Sequence, residues 1–221
     1  MRAVKRIAVL VSGGGTNLQA LIEAQRRGEI VGGEIAAVIS SKPGAYALER
    51  ARRAGIPGYV VSRKDYDTNQ AMTAALVDKL SGLDIDLVVL AGFMVIFTRE
   101  MVDAYPNAIL NVHPALIPSF CGKGYYGLHV HERALEYGVK VSGATVHFVS
   151  EECDGGPIVL QKAVAVEEND TPETLQRRIM EQAEWVILPR AVSLFCQGRL
   201  KVEGRTVRIL KPLNLSKECL Q

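Results

Sequence analysis

The sequence predicts an α/β fold, an open and mostly parallel sheet with helices on both faces and a mixed or antiparallel extension toward the C-terminus. Three observations carry this. Apolar, β-branched runs alternate with helical patterns through the first half of the chain. A glycine-rich turn joins the first strand to the first helix. In the second half, two long strand patterns are joined by an acidic, glycine-rich loop, which suits antiparallel pairing.

Element by element, Arg6 to Val11 has the composition of a buried strand, and Asn17 to Arg27 places Leu18, Leu21 and Ile22 on one helical face. Glu34 to Ser40 is a second strand. Ala45 to Ala54 is a helix stopped by Gly55 and Pro57, and Tyr59 to Val61 is a short third strand. Thr68 caps a helix reaching Leu80. Asp86 to Leu90 and Ala108 to Val112 are further strands. Val139 to Val149 and Pro157 to Val166 flank the acidic loop. Thr171 to Cys196 reads as one long helix, capped by Thr171, started by Pro172 and kinked at Pro189. A terminal hairpin and a loose end follow Arg199. With no linker, repeat or low-complexity stretch, residues 1–221 are expected to form one domain.

Composition excludes several functional classes. Of 221 residues, 48% are hydrophobic and the net charge is +2, so there is ample core material and no basic excess for nucleic acid. Arg50, Arg52 and Arg53 cluster, but beside Glu49 they suit a solvated helix face. No apolar run approaches the roughly 18 residues of a membrane span, and the run after Arg6 stops at Ser12 to Gly15. Cys121, Cys153, Cys196 and Cys219 form no CxxC pair and have no histidine at zinc spacing. They are expected to be reduced thiols of a cytoplasmic protein without a bound metal.

Gly13, Gly14, Gly15, Thr16 and Asn17 lie where strand meets helix, at the carboxyl edge of a parallel sheet. Backbone amides approach a ligand freely at glycine, and a helix N-terminus favours an anion, so a phosphate is the suitable guest. Walker A chemistry lacks its Lys. The Rossmann dinucleotide fingerprint lacks its third glycine at Leu18 and its acidic residue after the second strand, so the fold is Rossmann-like without NAD.

Asn111 and His113 alternate onto one face of a strand that Pro114 ends. Asp154 sits in the turn Asp154-Gly155-Gly156-Pro157. An amide donor for an oxyanion, an imidazole for protons and a carboxylate to orient or charge it form a set suited to acyl transfer. There is no Gly-x-Ser-x-Gly elbow and no cysteine in a nucleophile signature, which favours direct transfer between two bound substrates.

Five motifs in order now carry a family likeness: residues 12–20, 91–94, 111–118, 143–149 and 154–158. The chain resembles glycinamide ribonucleotide formyltransferases from Arg6 to about Leu200. The resemblance implies 10-formyltetrahydrofolate as donor, the amine of glycinamide ribonucleotide as acceptor in purine biosynthesis, and Asn111, His113 and Asp154 as the catalytic trio. It implies that Gly13 to Asn17 hold the acceptor's phosphate, and that Glu184 also contacts the acceptor. Met94, Val95, Ile96 and Phe97, with Asn111 and Ser150, Glu151, Glu152, Cys153 and Asp154, then line the folate pocket. The N-terminal half is thus expected to bind phosphate and the C-terminal half folate. The implied partners are small molecules, without nucleic acid or membrane, in a monomer or homodimer. Val95 and Asn69 stand where some members carry Arg, with Arg63 or Lys64 as candidate substitutes, and the glycines of residues 118–128 suit either a mobile lid or a merely flexible loop. Methionyl-tRNA formyltransferases and formyltetrahydrofolate hydrolases share this core but carry an added C-terminal or N-terminal domain, for which this chain is expected to have no room.

Overall fold

A computed structural model describes residues 4–95 and 97–211. Ile96, Cys219 and the tail after Lys211 lie outside the described residues. One sheet of nine strands organises the described residues. The first five are β1 (Lys5–Val11), β2 (Gly33–Ser40), β3 (Gly58–Val60), β4 (Leu87–Leu90) and β5 (Ile109–His113). The others are β6 (Val141–Phe148), β7 (Ile158–Ala165), β8 (Leu200–Glu203) and β9 (Thr206–Ile209). Their spatial order is β3-β2-β1-β4-β5-β6-β7-β9-β8. The first five pair in parallel, whereas β6 runs antiparallel to both β5 and β7. Both the parallel half and the mixed extension match the sequence expectation.

The central strands are apolar on both faces because helices cover both. Ile7, Val9 and Val11 face one cluster, with Leu18, Leu21 and Ile22 of α1 (Thr16–Arg26). Ala8 and Leu10 face the other, with Met72, Leu76 and Leu80 of α3 (Asn69–Gly82). Helix α2 (Tyr46–Arg53) buries only Ala47 and Ala51, and Thr68 caps α3 through a bond from Ala71 N–H.

The sequence reading has no counterpart for α4 (Arg99–Ala104) or α5 (His129–Tyr137). Helix α4 spans under two turns and α5 follows a glycine-rich loop, so neither presents a long periodic stretch.

The long C-terminal helix is broken, contrary to expectation. Thr171 and Thr174 form a reciprocal capping box at the start of α6 (Pro172–Ile179). Met180–Glu184 then form a π-turn before α7 (Trp185–Cys196), which runs through Pro189. The distortion therefore lies upstream of the proline. The Pro189 ring crowds the carbonyl of Trp185 and supplies no donor to it, and the wider turn precedes that crowded carbonyl. The turn places Glu184 inside, 6% exposed.

Candidate active site

Strand register sets the site. Leu10 of β1 lies beside Leu90 of β4, Leu90 beside Asn111 of β5, and Asn111 beside His147 of β6. Because β1, β4 and β5 are parallel, the glycine loop, residues 91–95 and the Asn111–His113 strand end all emerge at one edge. Ser12 ties the first two together. Its hydroxyl accepts from Met94 N–H at 2.9 Å and shares a hydrogen bond with the Ser41 hydroxyl at 2.7 Å.

Asn111, His113 and Asp154 meet. Asn111 Nδ2 lies 3.4 Å from Asp154 Oδ1, and His113 Nδ1 lies 3.5 Å from Asp154 Oδ2. His147 completes the cluster, with Nε2 3.2 Å from Asn111 Nδ2 and 3.6 Å from Asp154 Oδ1. Its Nδ1 faces the Phe148 carbonyl at 2.8 Å. A carbonyl only accepts, so Nδ1 is the donor in that bond. Nothing in the sequence marks His147 as a partner, because only the β5–β6 register brings it opposite Asn111.

Asp154 is only 10% exposed. Burial opposes its charge. The hydrogen bond from His147, the charge of His113 and the Gly122 N–H, 2.9 Å from Oδ2, outweigh burial and hold the carboxyl down at about 2. His113 behaves differently. Burial pulls its pKa below the ordinary 6.5, against Asp154 and the Phe120 carbonyl, which accepts from Nε2 at 2.8 Å. Of the two roles expected of Asp154, to orient the imidazole or to keep it charged, the second is opposed by burial. The carboxylate favours the protonated ring, but desolvation prevails, and at pH 7 the free ring is mostly neutral with its proton on Nε2.

The loop 118–128 folds over this cluster through the Phe120 carbonyl and the Gly122 amide. His131 of α5 is buried with neither ring nitrogen hydrogen-bonded. Burial and then His113 push its pKa down to about 4.

The residues expected to line the folate pocket divide. Met94 is 54% exposed, whereas Val95 and Phe97 lean on the core, Phe97 stacked on Phe93 at 5.4 Å. Ser150 bonds the carbonyl of Glu152, and Glu151 turns to Arg99 at 3.3 Å. Cys153 is exposed, its Sγ 3.8 Å from Asp154 Oδ2. Arg63 donates to the carbonyls of Tyr66 and Asp67, so its guanidinium is committed to its own turn.

In the glycine loop, Gly13 and Gly14 are exposed, and a Cβ on either meets nothing within 4 Å, leaving room for a ligand. Gly15 is different. Its φ is +73°, and a Cβ there would lie 2.6 Å from that of Ala47. Gly15→Ala is expected to cost about 2–4 kcal/mol by chemical denaturation. Gly14→Ala is expected to leave stability unchanged and to weaken acceptor binding.

Behind the loop, Asn17 Nδ2 donates to Glu184 Oε2 at 2.6 Å, and Asn17 Oδ1 is buried without a partner. Burial raises the Glu184 pKa to about 7 against that hydrogen bond. A buried carboxyl beside an unsatisfied acceptor is a place for a ligand's donors. Among the described residues, no group of three or more His, Cys, Asp or Glu is arranged to hold a metal, and no helix is long and apolar enough to cross a membrane.

Residues 5–192 match the formyl transferase family model. The chain is 45% identical over 200 residues to a phosphoribosylglycinamide formyltransferase of Haemophilus influenzae, covering 90% of this chain and 91% of that one. The chain belongs to the phosphoribosylglycinamide formyltransferase family. A solved glycinamide ribonucleotide transformylase 1 from Symbiobacterium toebii superposes with a TM-score of 0.89 and 49% identity over 96% of both chains. A formyltetrahydrofolate deformylase from Pseudomonas syringae shares the fold at a TM-score of 0.83 and 27% identity, over 94% of this chain and 66% of that one. Within the phosphoribosylglycinamide formyltransferase family, the Asn111–His113–Asp154 cluster and the glycine loop fall inside the matched residues.

Proposed function

We propose that this chain transfers the formyl group of 10-formyltetrahydrofolate to the amine of glycinamide ribonucleotide, with Asn111, His113 and Asp154 as the catalytic residues. The observation that carries the reading is that these three groups, distant in sequence, converge at the strand edge that also bears the glycine loop.

Gly13 to Asn17 receive the acceptor's phosphate at the N-terminus of α1, and Glu184 with Asn17 accepts hydrogen bonds from its polar groups. Met94 and the edge of 150–154 present the surface for the folate, while Val95 and Phe97 support it from the core side. The folate supplies an activated formyl carbon. Asn111 Nδ2 relaxes its long contact to Asp154 and donates to the formyl oxygen as charge builds there, a contribution of about 10²–10³ in rate. As the amine nitrogen bonds the formyl carbon, the neutral ring of His113 takes the proton that the amine loses and returns it to the folate nitrogen as that nitrogen's bond to the formyl carbon breaks; the intervening imidazolium is stabilised by Asp154 at 3.5 Å, which is ionised throughout. The protein works as a cytoplasmic monomer or homodimer whose partners are these two small molecules.

The test mixes the protein with 10-formyltetrahydrofolate with and without glycinamide ribonucleotide and follows deformylated folate. Product only with the acceptor is expected. Product at the same rate without it would make the chain a hydrolase like the deformylase it resembles in fold, and no product under either condition would leave the reading without support.

A further inference from the structure

Two peptide planes of the glycine loop are held from the same side by α2. The Gly13 carbonyl accepts from Ala47 N–H at 3.1 Å, and the Gly14 carbonyl accepts from Arg50 Nε at 2.8 Å. In a trans peptide the next N–H points opposite to the carbonyl. The amides of Gly14 and Gly15 are therefore turned away from α2. Arg50 also donates through Nη1 to Gln19 Oε1 at 3.0 Å, and Gln19 N–H bonds the Gly15 carbonyl at 2.9 Å. One guanidinium thus spans the loop and the first turn of α1. The Tyr46 ring lies 5.0 Å from its centre and limits where it swings. This corrects the expectation that Arg50, Arg52 and Arg53 form a solvated face. Arg52 and Arg53 do pair with Glu49 on the surface, but Arg50 turns to the loop.

We infer that Arg50 is a positioning residue, clamping the Gly14 carbonyl so that the amides of Gly14 and Gly15 are preset to receive the acceptor's phosphate. The inference rests on the reading of the loop as the phosphate site. The physical need is specific. A peptide between two glycines has no Cβ to resist rotation, and a half-turn would aim the Gly14 carbonyl oxygen at an anion. The Gly13 peptide is held by backbone, which no side-chain change removes. The Gly14 peptide is held by a side chain, so its orientation depends on residue 50.

The experiment compares Arg50→Ala, Arg50→Lys, Arg50→Gln and Gly14→Ala with the parent protein by steady-state kinetics and thermal melting. Arg50→Ala is expected to raise the KM for glycinamide ribonucleotide about 10-fold, with kcat, the KM for 10-formyltetrahydrofolate and Tm little changed. Arg50→Gln, neutral but still able to donate to the carbonyl, is expected to recover part of the loss, and added ethylguanidinium to recover part of the Arg50→Ala loss. If Arg50→Lys restores binding fully while Arg50→Gln restores nothing, Arg50 acts by charge and the positioning role is overturned. If Gly14→Ala weakens acceptor binding and Arg50→Ala does not, the clamp is again overturned while the phosphate reading stands. If neither substitution moves the acceptor KM, the phosphate reading itself fails.

Discussion

Asp154→Asn is expected to lower kcat by about 10²–10⁴-fold while the KM for glycinamide ribonucleotide stays within a few-fold of the parent value. The substitution is a clean one on structural grounds. Asp154 has φ +54°, in the left-handed region, which Asn tolerates as well as Asp. An Asn oxygen still accepts from Gly122 N–H. What disappears is the negative charge 3.5 Å from His113, which favours the protonated ring. The pH profile should report this directly. The parent carboxyl stays ionised down to about pH 2, so the acid limb of kcat/KM belongs to His113 and lies below 6.5. Removing the carboxylate removes a cause that raises the His113 pKa, so the limb should move lower still in Asp154→Asn. His113→Ala is expected to lose turnover on a similar scale. Equal losses of acceptor binding and turnover in both variants would show that these residues build the site and do no chemistry.

Glu184→Gln is expected to make the protein more stable and a poorer binder of its acceptor. The Glu184 carboxyl is fully buried, and its pKa is raised from 4.5 to about 7. A raised folded-state pKa contributes stability that is present below pH 4.5 and lost as pH rises through about 7. At pH 8 the parent therefore bears the whole penalty of a buried carboxylate, at most about 3 kcal/mol. Gln removes that penalty and keeps an acceptor for Asn17 Nδ2, now 2.6 Å from Glu184. Denaturant melts of parent and variant should agree near pH 4.5 and diverge by about 1–3 kcal/mol at pH 8. The acceptor KM should rise about 10-fold or more, because a neutral amide replaces a charged acceptor. Parallel stability curves across that range would show that Glu184 is not desolvated as described. An unchanged KM would remove it from the acceptor site. A more stable variant that binds its acceptor less well would mark Glu184 as serving binding at the expense of stability.

The strongest sequence signals were local. Apolar β-branched runs separated by turns gave each parallel strand, because a strand covered on both faces has to be apolar along its length. Thr171 and Pro172 marked a helix start through chemistry confined to one turn. The alternation of Asn111 and His113 gave a shared face, and the Asp154 turn was readable from its glycines. His147 was not readable as a partner, since a histidine inside an apolar strand announces nothing until β6 is set in register against β5. Arg50 looked like its neighbours Arg52 and Arg53 because a helix of eight residues turns successive side chains to different surroundings, and only packing reveals which one meets the loop. The break lies at Met180–Glu184 and not at Pro189, because a proline marks strain without fixing which turn relaxes.

The sequence by itself determined the order of the strands, the parallel half of the sheet, the glycine loop at its carboxyl edge and the residues on which the chemistry is proposed to rest. Those features depend on short-range sterics and on burial patterns with fixed periods. Tertiary structure decided the protonation balance at His113, the inward turn of Glu184, the place of His147 and the partner of Arg50. Each of these depends on how much water is excluded and on which distant group fills the space, and neither quantity exists until the sheet and its helices are assembled.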